Sequence, residues 1–293
     1  VWGMFTATFI AKKGALEPAL VTSVQSAWGG GDAVWLAPDE AAEFEVARIP
    51  DNRWEVWSDL QDLGVDLVVQ PSGGRRKKML LADMDSTMIQ QECIDELADE
   101  AGVGERVAAI TAAAMNGELD FDGALRERVG LLKGLPESVI GDVLDKRITL
   151  MPGGPVLLAT MKAHGAYAAL VSGGFTAFTA AISKTLGFDE NRANTLIADG
   201  GELTGEVGLP ILGKQAKVDA LEEITARLGI SEADVLAVGD GANDLGMLTR
   251  AGMGVALHAK PSVAAECDVR IYHGDLTALL FIQGYARDVF SNY

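Results

Sequence analysis

Three histidines and two cysteines are all that 293 residues offer of the side chains that usually bind zinc or carry redox chemistry. Cys93 and Cys267 lie far apart and outside any CxxC spacing, so neither a disulfide framework nor a zinc site is expected. A reducing cytoplasm is the compartment that fits such usage. His164, His258 and His273 share no ligand spacing. Positive charge is scarce as well: 24 Lys and Arg stand against 42 Asp and Glu, a formal net charge of -18. Nucleic acid and anionic membranes both require a basic footprint, so neither is expected as a partner. No apolar run approaches the ~18 residues of a membrane span. The opening stretch "VWGMFTATFIAKKGAL" lacks the basic start, apolar block and small-residue cleavage site of a signal peptide.

What is present describes a folded chain, with 48% hydrophobic and 23% charged residues. Its length exceeds the usual size of one hydrophobic core, which predicts at least two domains. Over residues 1–75 the patterns run strand ("MFTATFIA"), helix ("EPALVTSVQSAWG"), two strands ("AVWLAP", "AEFEVAR"), helix ("NRWEVWSDLQDLG") and strand ("VDLVVQP"). That βαββαβ order is an α+β, ferredoxin-like plan. "PSGGRRKK" then reads as a linker, with Pro, Gly and basic residues and no apolar period. From Met79 onward short apolar runs ("MLLADM", "AYAALVS", "DVLAVGD", "GVAL", "VRIY") alternate with helical periodicity, which predicts an α/β core around a parallel sheet. Residues 92–149 break the alternation with four amphipathic helices and no strand. Inserted after the first core strand, they should stand over the carboxyl ends of the strands as a cap, leaving 76–91 and 150–293 as the core. "TLIADGGELTGEVGLPILG" reads as a second insertion, a β-hairpin.

The chemistry concentrates where the predicted strands end. "LLADMDST" places Asp83 and Asp85 two residues apart, facing one side of an extended chain. Two such carboxylates repel unless a cation sits between them or one of them keeps a proton. A capped turn would use the same residue types, so this stretch alone leaves both readings open. Three others add to it. "LVSGGF" offers the Ser172 hydroxyl and bare backbone N–H groups at Gly173 and Gly174 for a phosphate oxygen. "KQAKVDAL" offers Lys217 as a cation, and "AVGDGANDLGML" offers Asp240, Asn243 and Asp244 at a Gly-rich turn suited to a hard, oxygen-loving ion such as Mg²⁺. Four elements of this kind at strand ends converge on one crevice.

These residues resemble the four motifs of the haloacid dehalogenase-like phosphohydrolases, which carry a Rossmann-like α/β core. The resemblance extends over about residues 79–285 to the phosphoserine phosphatases, through Glu92, "LDFDGALRERVGLLKGLP", "VSGGF" and "VGDGANDLGML". Met84 stands where Phe is common in that motif, a packing difference. The first 75 residues resemble ACT-type modules in element order only. The resemblance implies a Mg²⁺-dependent hydrolysis of O-phospho-L-serine to L-serine and phosphate, the last step of serine biosynthesis. In it Asp83 is the nucleophile that becomes an aspartyl phosphate, and Asp85 is the general acid and then base. Mg²⁺ binds the Asp83 side chain, the Asp85 carbonyl and the Asp240 side chain, with Asp244 in support. Ser172, Gly173, Lys217 and Asn243 hold phosphate, Glu92 meets the substrate ammonium and Arg128 its carboxylate. Met115 and Phe121 form an apolar cover.

Two other functions remain open at this level. One is a relative acting on another small phosphomonoester or transferring phosphate to a second hydroxyl; the other is a phospho-accepting or amino-acid-sensing module without turnover. Asp85 and the cap separate these classes, because a signalling acceptor gains nothing from an acid/base group or a lid. The N-terminal domain is expected to mediate homodimerisation or regulation.

Overall fold

The computed structural model describes residues 3–292, and among them the elements fall into an antiparallel sheet, a parallel sheet, a helical insertion and a hairpin. The first sheet is built from β1 (Phe5–Ile10), β2 (Val34–Ala37), β3 (Ala41–Val46) and β4 (Asp66–Pro71) in the order β2-β3-β1-β4, with α1 (Pro18–Trp28) and α2 (Arg53–Asp62) as its crossovers. The period of two sorts its side chains onto two faces. Ala7, Phe9, Phe44, Leu67 and Val69 pack in a cluster with Val21, Val24 and Leu60 of the helices, whereas Ile10, Ala41 and Val68 join the core of the rest of the chain. One sheet therefore faces its own helices on one side and the neighbouring unit on the other.

Polar and charged contacts seal that junction. The buried Asp66 carboxylate accepts the backbone N–H groups of Tyr272, His273 and Gly274 at 3.0, 2.9 and 2.7 Å, and the Gln61 amide at 3.1 Å. Gln70 donates to the Ile282 carbonyl at 2.6 Å, Arg287 pairs with Glu40, and the Arg270 guanidinium lies over the Trp54 ring.

The core sheet begins with β5 (Met79–Ala82). After it come the insertion helices α3 (Cys93–Glu100), α4 (Gly104–Met115), α5 (Phe121–Gly130) and α6 (Val139–Lys146), and then α7 (Gly154–Ala163). The chain continues through β6 (Tyr167–Phe175), α8 (Thr176–Leu186), β7 (Glu190–Asn194), the hairpin β8 (Leu196–Asp199) and β9 (Glu202–Val207), and α9 (Lys214–Leu228). It closes with β10 (Val235–Gly239), α10 (Leu245–Arg250), β11 (Met253–Leu257), α11 (Pro261–Ala264), β12 (Val269–Ile271) and α12 (Ala278–Phe281). The parallel order is β12-β11-β10-β5-β6-β7. Alternate residues face opposite sides: Leu80, Ala82, Leu170, Leu236 and Val238 point into one core, and Met79, Leu81, Ala169, Val171, Val235 and Ala237 into the other. Strands apolar on both faces require helices on both, which explains their continuous runs.

The strand order reverses around β5, where the chain first builds outward through β6 and β7 and later returns to β10. Such a switch point opens a crevice at the carboxyl ends of the strands. The insertion leaves and re-enters the core side by side, with Gln90 N–H donating to the Thr149 carbonyl and Met151 N–H to the Met88 carbonyl, both at 2.9 Å. The hairpin reaches up to it: Gly134 N–H donates to Leu203 O, and Leu203 N–H to Leu135 O, at 2.8 Å each. Gly205, with φ of 82°, permits the close approach, since a Cβ there would lie 2.9 Å from Cβ of Lys133.

Candidate active site

Asp83 follows β5, Ser172 and Gly173 belong to the end of β6, and Asp240 follows β10, so three adjacent parallel strands deliver their groups to one crevice. After Asp83 the chain turns tightly, with the N–H groups of Met88 and Ile89 both directed at the Met84 carbonyl. The turn holds Ser86 at φ of 57°, and its hydroxyl donates to Glu92 at 2.7 Å. It also aims Thr87 inward. The Thr87 hydroxyl donates to Asp240 at 3.0 Å and lies 3.5 Å from Asp83.

Lys217 is 1% exposed and stands between two carboxylates, donating to Asp83 at 2.7 Å and Asp244 at 2.5 Å. Asp244 spends its other oxygen on the backbone N–H groups of Asp240 and Gly241, both at 3.1 Å, which fixes the turn carrying Asp240. Ligand oxygens of Asp83, Asp240 and Asp244 lie within 4.8 Å of one another. Three carboxylates against one ammonium leave two uncompensated negative charges when all are ionised. The proton equilibria reflect this. Burial pushes the Asp83 carboxyl up, with Lys217 opposing and Asp240 adding to the rise. Asp240 is raised to about 6 by burial and then by Asp244, and Asp244 to about 6 by burial and then by Asp83. Burial alone would lower Lys217, but Asp83 and Asp244 outweigh it and hold the ammonium charged. Asp83 rises although it is paired because its burial outweighs the ammonium, which it also shares with Asp244. An oxygen-only site with an excess of two negative charges fits a hard divalent cation.

Asp85 points into the same crevice. Its Oδ1 accepts the Cys93 N–H at 3.3 Å, at the start of α3, and burial followed by the charge of Asp83 pushes it up to about 7. Gly174 leaves the room this requires, because a Cβ there would meet Ser172 Oγ at 3.0 Å and Asp85 Oδ2 at 3.2 Å. Ser172 is 2% exposed and accepts the Gly174 N–H at 2.9 Å. Asn243 is half-buried, with its Oδ1 turned toward Gly241.

The cap contributes the opposite wall. Phe121 opens α5, whose N-cap Asp120 accepts the Gly123 N–H at 2.7 Å, and its ring crosses to the core. A Cβ on either Gly173 or Gly213 would lie 3.3 Å from that ring. Arg128, about two turns further along α5, donates to Thr111 at 3.3 Å and to the Ala124 carbonyl at 3.2 Å. Burial lowers its pKa, while Asp95 and Glu92 oppose that fall. Glu92 is raised, by desolvation first and the Asp85 charge second, although its side chain is exposed at the crevice mouth, where water tempers the effect. Of the residues picked out in the sequence, Met115 ends α4 and its side chain lies outside the described structure.

Thr87 and Ser86 escaped the sequence reading as site residues, although both belong to the DMDST run and their hydroxyls were the available signal. Asn194 escaped it entirely.

Residues 80–249 match the haloacid dehalogenase-like hydrolase family. A phosphoserine phosphatase of Haemophilus influenzae is 46% identical over 202 residues, 69% of this chain and 64% of its own. The chain spans less than two thirds of the length of this and two further curated relatives that it matches, at 62–64%. Among solved structures, a HAD family hydrolase of Salmonella enterica serovar Typhi superposes with a TM-score of 0.85 at 32% identity, covering 97% of this chain and 99% of that one. A phosphoserine phosphatase holding a phospho-aspartyl intermediate analogue superposes with a TM-score of 0.65 at 43% identity, over 70% of this chain and 98% of its own. The matched span takes in the strand that leads into Asp83, the inserted helices, Lys217 and the acidic turn, and the chain belongs to the haloacid dehalogenase-like hydrolases.

Proposed function

We propose that this protein is a phosphoserine phosphatase that hydrolyses O-phospho-L-serine to L-serine and phosphate through an aspartyl-phosphate intermediate. An Asp83 oxygen attacks phosphorus as the bond to the serine oxygen breaks, and Asp85 passes its proton to that oxygen. Water then attacks the acyl phosphate, Asp85 takes its proton, and Asp83 and inorganic phosphate are regenerated. The observation that carries this reading is the pairing itself: Lys217 holds Asp83 at 2.7 Å, while Asp85 shares the crevice with its Oδ1 on the Cys93 N–H, where a carboxyl group can give a proton to a departing oxygen and take one back from water.

The remaining residues bind and orient. Ser172, the Gly173 N–H, Lys217 and Asn243 cradle phosphate oxygens, and the transfer needs chiefly positioning and charge neutralisation. Mg²⁺ is the ion we assign, held by the Asp83 and Asp240 side chains and the Asp85 carbonyl, with Asp244 fixing the turn. When bound, it neutralises charge on the transferring group and relieves the repulsion among the carboxylates. Arg128 takes the substrate carboxylate, Glu92 its ammonium, and Phe121 with Met115 covers the site. In this reading residues 1–75 form a separate domain for homodimerisation or regulation, 76–91 with 150–293 the catalytic core, and 92–149 the cap. The edge strand β2, with Val34 exposed, suits the first of these roles. Cys93 and Cys267, both buried and free, suit a reducing cytoplasm.

Phosphate release from a panel of phosphomonoesters, with Mg²⁺ present and absent, tests the assignment. Preference for phosphoserine that disappears with the metal supports it; equal rates across the panel, or turnover indifferent to metal, would sink it.

A further inference from the structure

The loop that ends β6 and the loop that precedes α9 come from different parts of the chain, yet one side chain joins them. Asn194, the last residue of β7, is 2% exposed. Its Nδ2 donates to the Gly173 carbonyl at 3.0 Å and the Leu212 carbonyl at 2.9 Å, and its Oδ1 accepts the Leu212 N–H at 2.7 Å. The two carbonyls require the nitrogen and the N–H requires the oxygen, so the amide orientation follows from its partners. A carboxylate of the same shape keeps the acceptor and loses both donors; an apolar side chain loses all three bonds.

What the amide joins matters. Gly173 adjoins Ser172 in the anion-binding loop. Leu212 and Gly213 lead into α9, which carries Lys217 one turn along. The Phe121 ring rests over both Gly173 and Gly213, so the two surfaces beneath the cap are held in register by the same amide. We propose that Asn194 is a positioning residue for the phosphate cradle. It sets the spacing between the Ser172–Gly174 loop and the start of the Lys217 helix, and with it the seat on which Phe121 closes. The proposal rests on the crevice being a phosphomonoesterase site, and not on serine being the alcohol released.

The test uses the full chain with Mg²⁺ and the variants Asn194→Asp, Asn194→Ala, Phe121→Ala and the Asn194→Ala/Phe121→Ala pair. Inorganic phosphate affinity is read by calorimetry and product inhibition. Alongside it come kcat and KM on phosphoserine and an aryl phosphate, and the unfolding temperature. Asn194→Asp should weaken phosphate binding about tenfold or more, since two buried carbonyls lose their donor and face a carboxylate. KM should rise alike for both substrates, with kcat changed less. In the double variant the KM effect should not exceed the larger single effect, because both act on one seat. A role confined to folding would lower the unfolding temperature and leave phosphate affinity per folded molecule untouched; that result overturns the proposal. Should either variant fail to fold, the Asn194 side-chain NH₂ resonances of the ¹⁵N-labelled wild-type chain decide: they should shift on saturation with phosphate, and their indifference overturns it. A wild-type enzyme that hydrolyses the aryl phosphate and ignores phosphoserine would refute the substrate assignment alone, leaving the phosphate comparison intact.

Discussion

Removing the divalent cation should cost the folded chain more stability at pH 7.5 than at pH 5, and the acidic cluster sets the size of the difference. In the metal-free fold Asp244 titrates at about 6, against 3.8 for its ordinary value, and Asp240 behaves alike. Between those values the folded state holds protons that the unfolded chain has already released, so stability falls as pH rises from about 4 to about 6. Above that window the full penalty is in place. A rise of about two pKa units corresponds to about 3 kcal/mol for one group, of which about half is incurred between pH 5 and pH 7.5. Asp244 adds to the rise of Asp240, so their penalties overlap and the pair should lose about 1.5–3 kcal/mol across that interval. Saturating Mg²⁺ removes the loss by supplying the missing positive charge. For a chain of this size that is a difference of about 3–6 °C in unfolding temperature. Differential scanning calorimetry with EDTA and with saturating Mg²⁺ at both pH values gives the number directly, since groups outside the cluster cancel in the comparison. An Mg²⁺-induced gain that is the same at pH 5 and pH 7.5 would refute this account of the cluster.

Asp83→Asn should abolish turnover while preserving the fold, as an amide cannot attack phosphorus, and Asp85→Asn should slow both half-reactions and let phosphoenzyme accumulate in rapid-quench experiments; wild-type rates in either variant contradict the roles assigned. Arg128→Ala should lower kcat/KM for phosphoserine by about 30-fold or more, from a lost charge-assisted pair at the lower end of about 2–5 kcal/mol because the guanidinium is only half-buried. An aryl phosphate should be spared, and equal losses on both would assign Arg128 to cap structure. Asp66→Ala strips four hydrogen bonds from a fully buried carboxylate, three of them from backbone N–H groups, and should destabilise by about 3–5 kcal/mol in denaturant titrations. A change below about 1 kcal/mol would show that the junction is held by apolar contact alone.

The parts legible in the sequence were those whose physics is local. Alternation in "MFTATFIA" and the continuous apolar runs "MLLA" and "VLAVG" announced β1, β5 and β10, and the uninterrupted helical periods after Glu92 announced the cap. β7, "ENRAN", gave no such signal. It lies at the sheet edge and is held by polar side chains: Asn191 accepts from Thr179, Glu190 from Tyr167, and Arg192 pairs with Glu223. A strand fixed by partners remote in sequence has no hydrophobic period to display. The same reasoning covers the site. Asp83, Ser172, Lys217 and Asp240 stand in short runs rich in Gly and acidic residues, whereas Asn194 sits in a polar run without apparent purpose until the loops at 173 and 212 meet around it.

The adjoining entry and exit of the helical insertion have a consequence for how such a protein can change. Residues 88–91 and 148–151 form one small two-stranded junction, so everything between them could be exchanged for another module without lengthening or straining the sheet. Asp83, Asp85, Lys217 and the acidic turn all lie outside that interval, while Arg128 and Phe121 lie within it. Under the roles proposed above, the groups that would break the phosphate bond and those that would select the alcohol sit on separate stretches of chain, so a different lid could be fitted without disturbing the crevice beneath it.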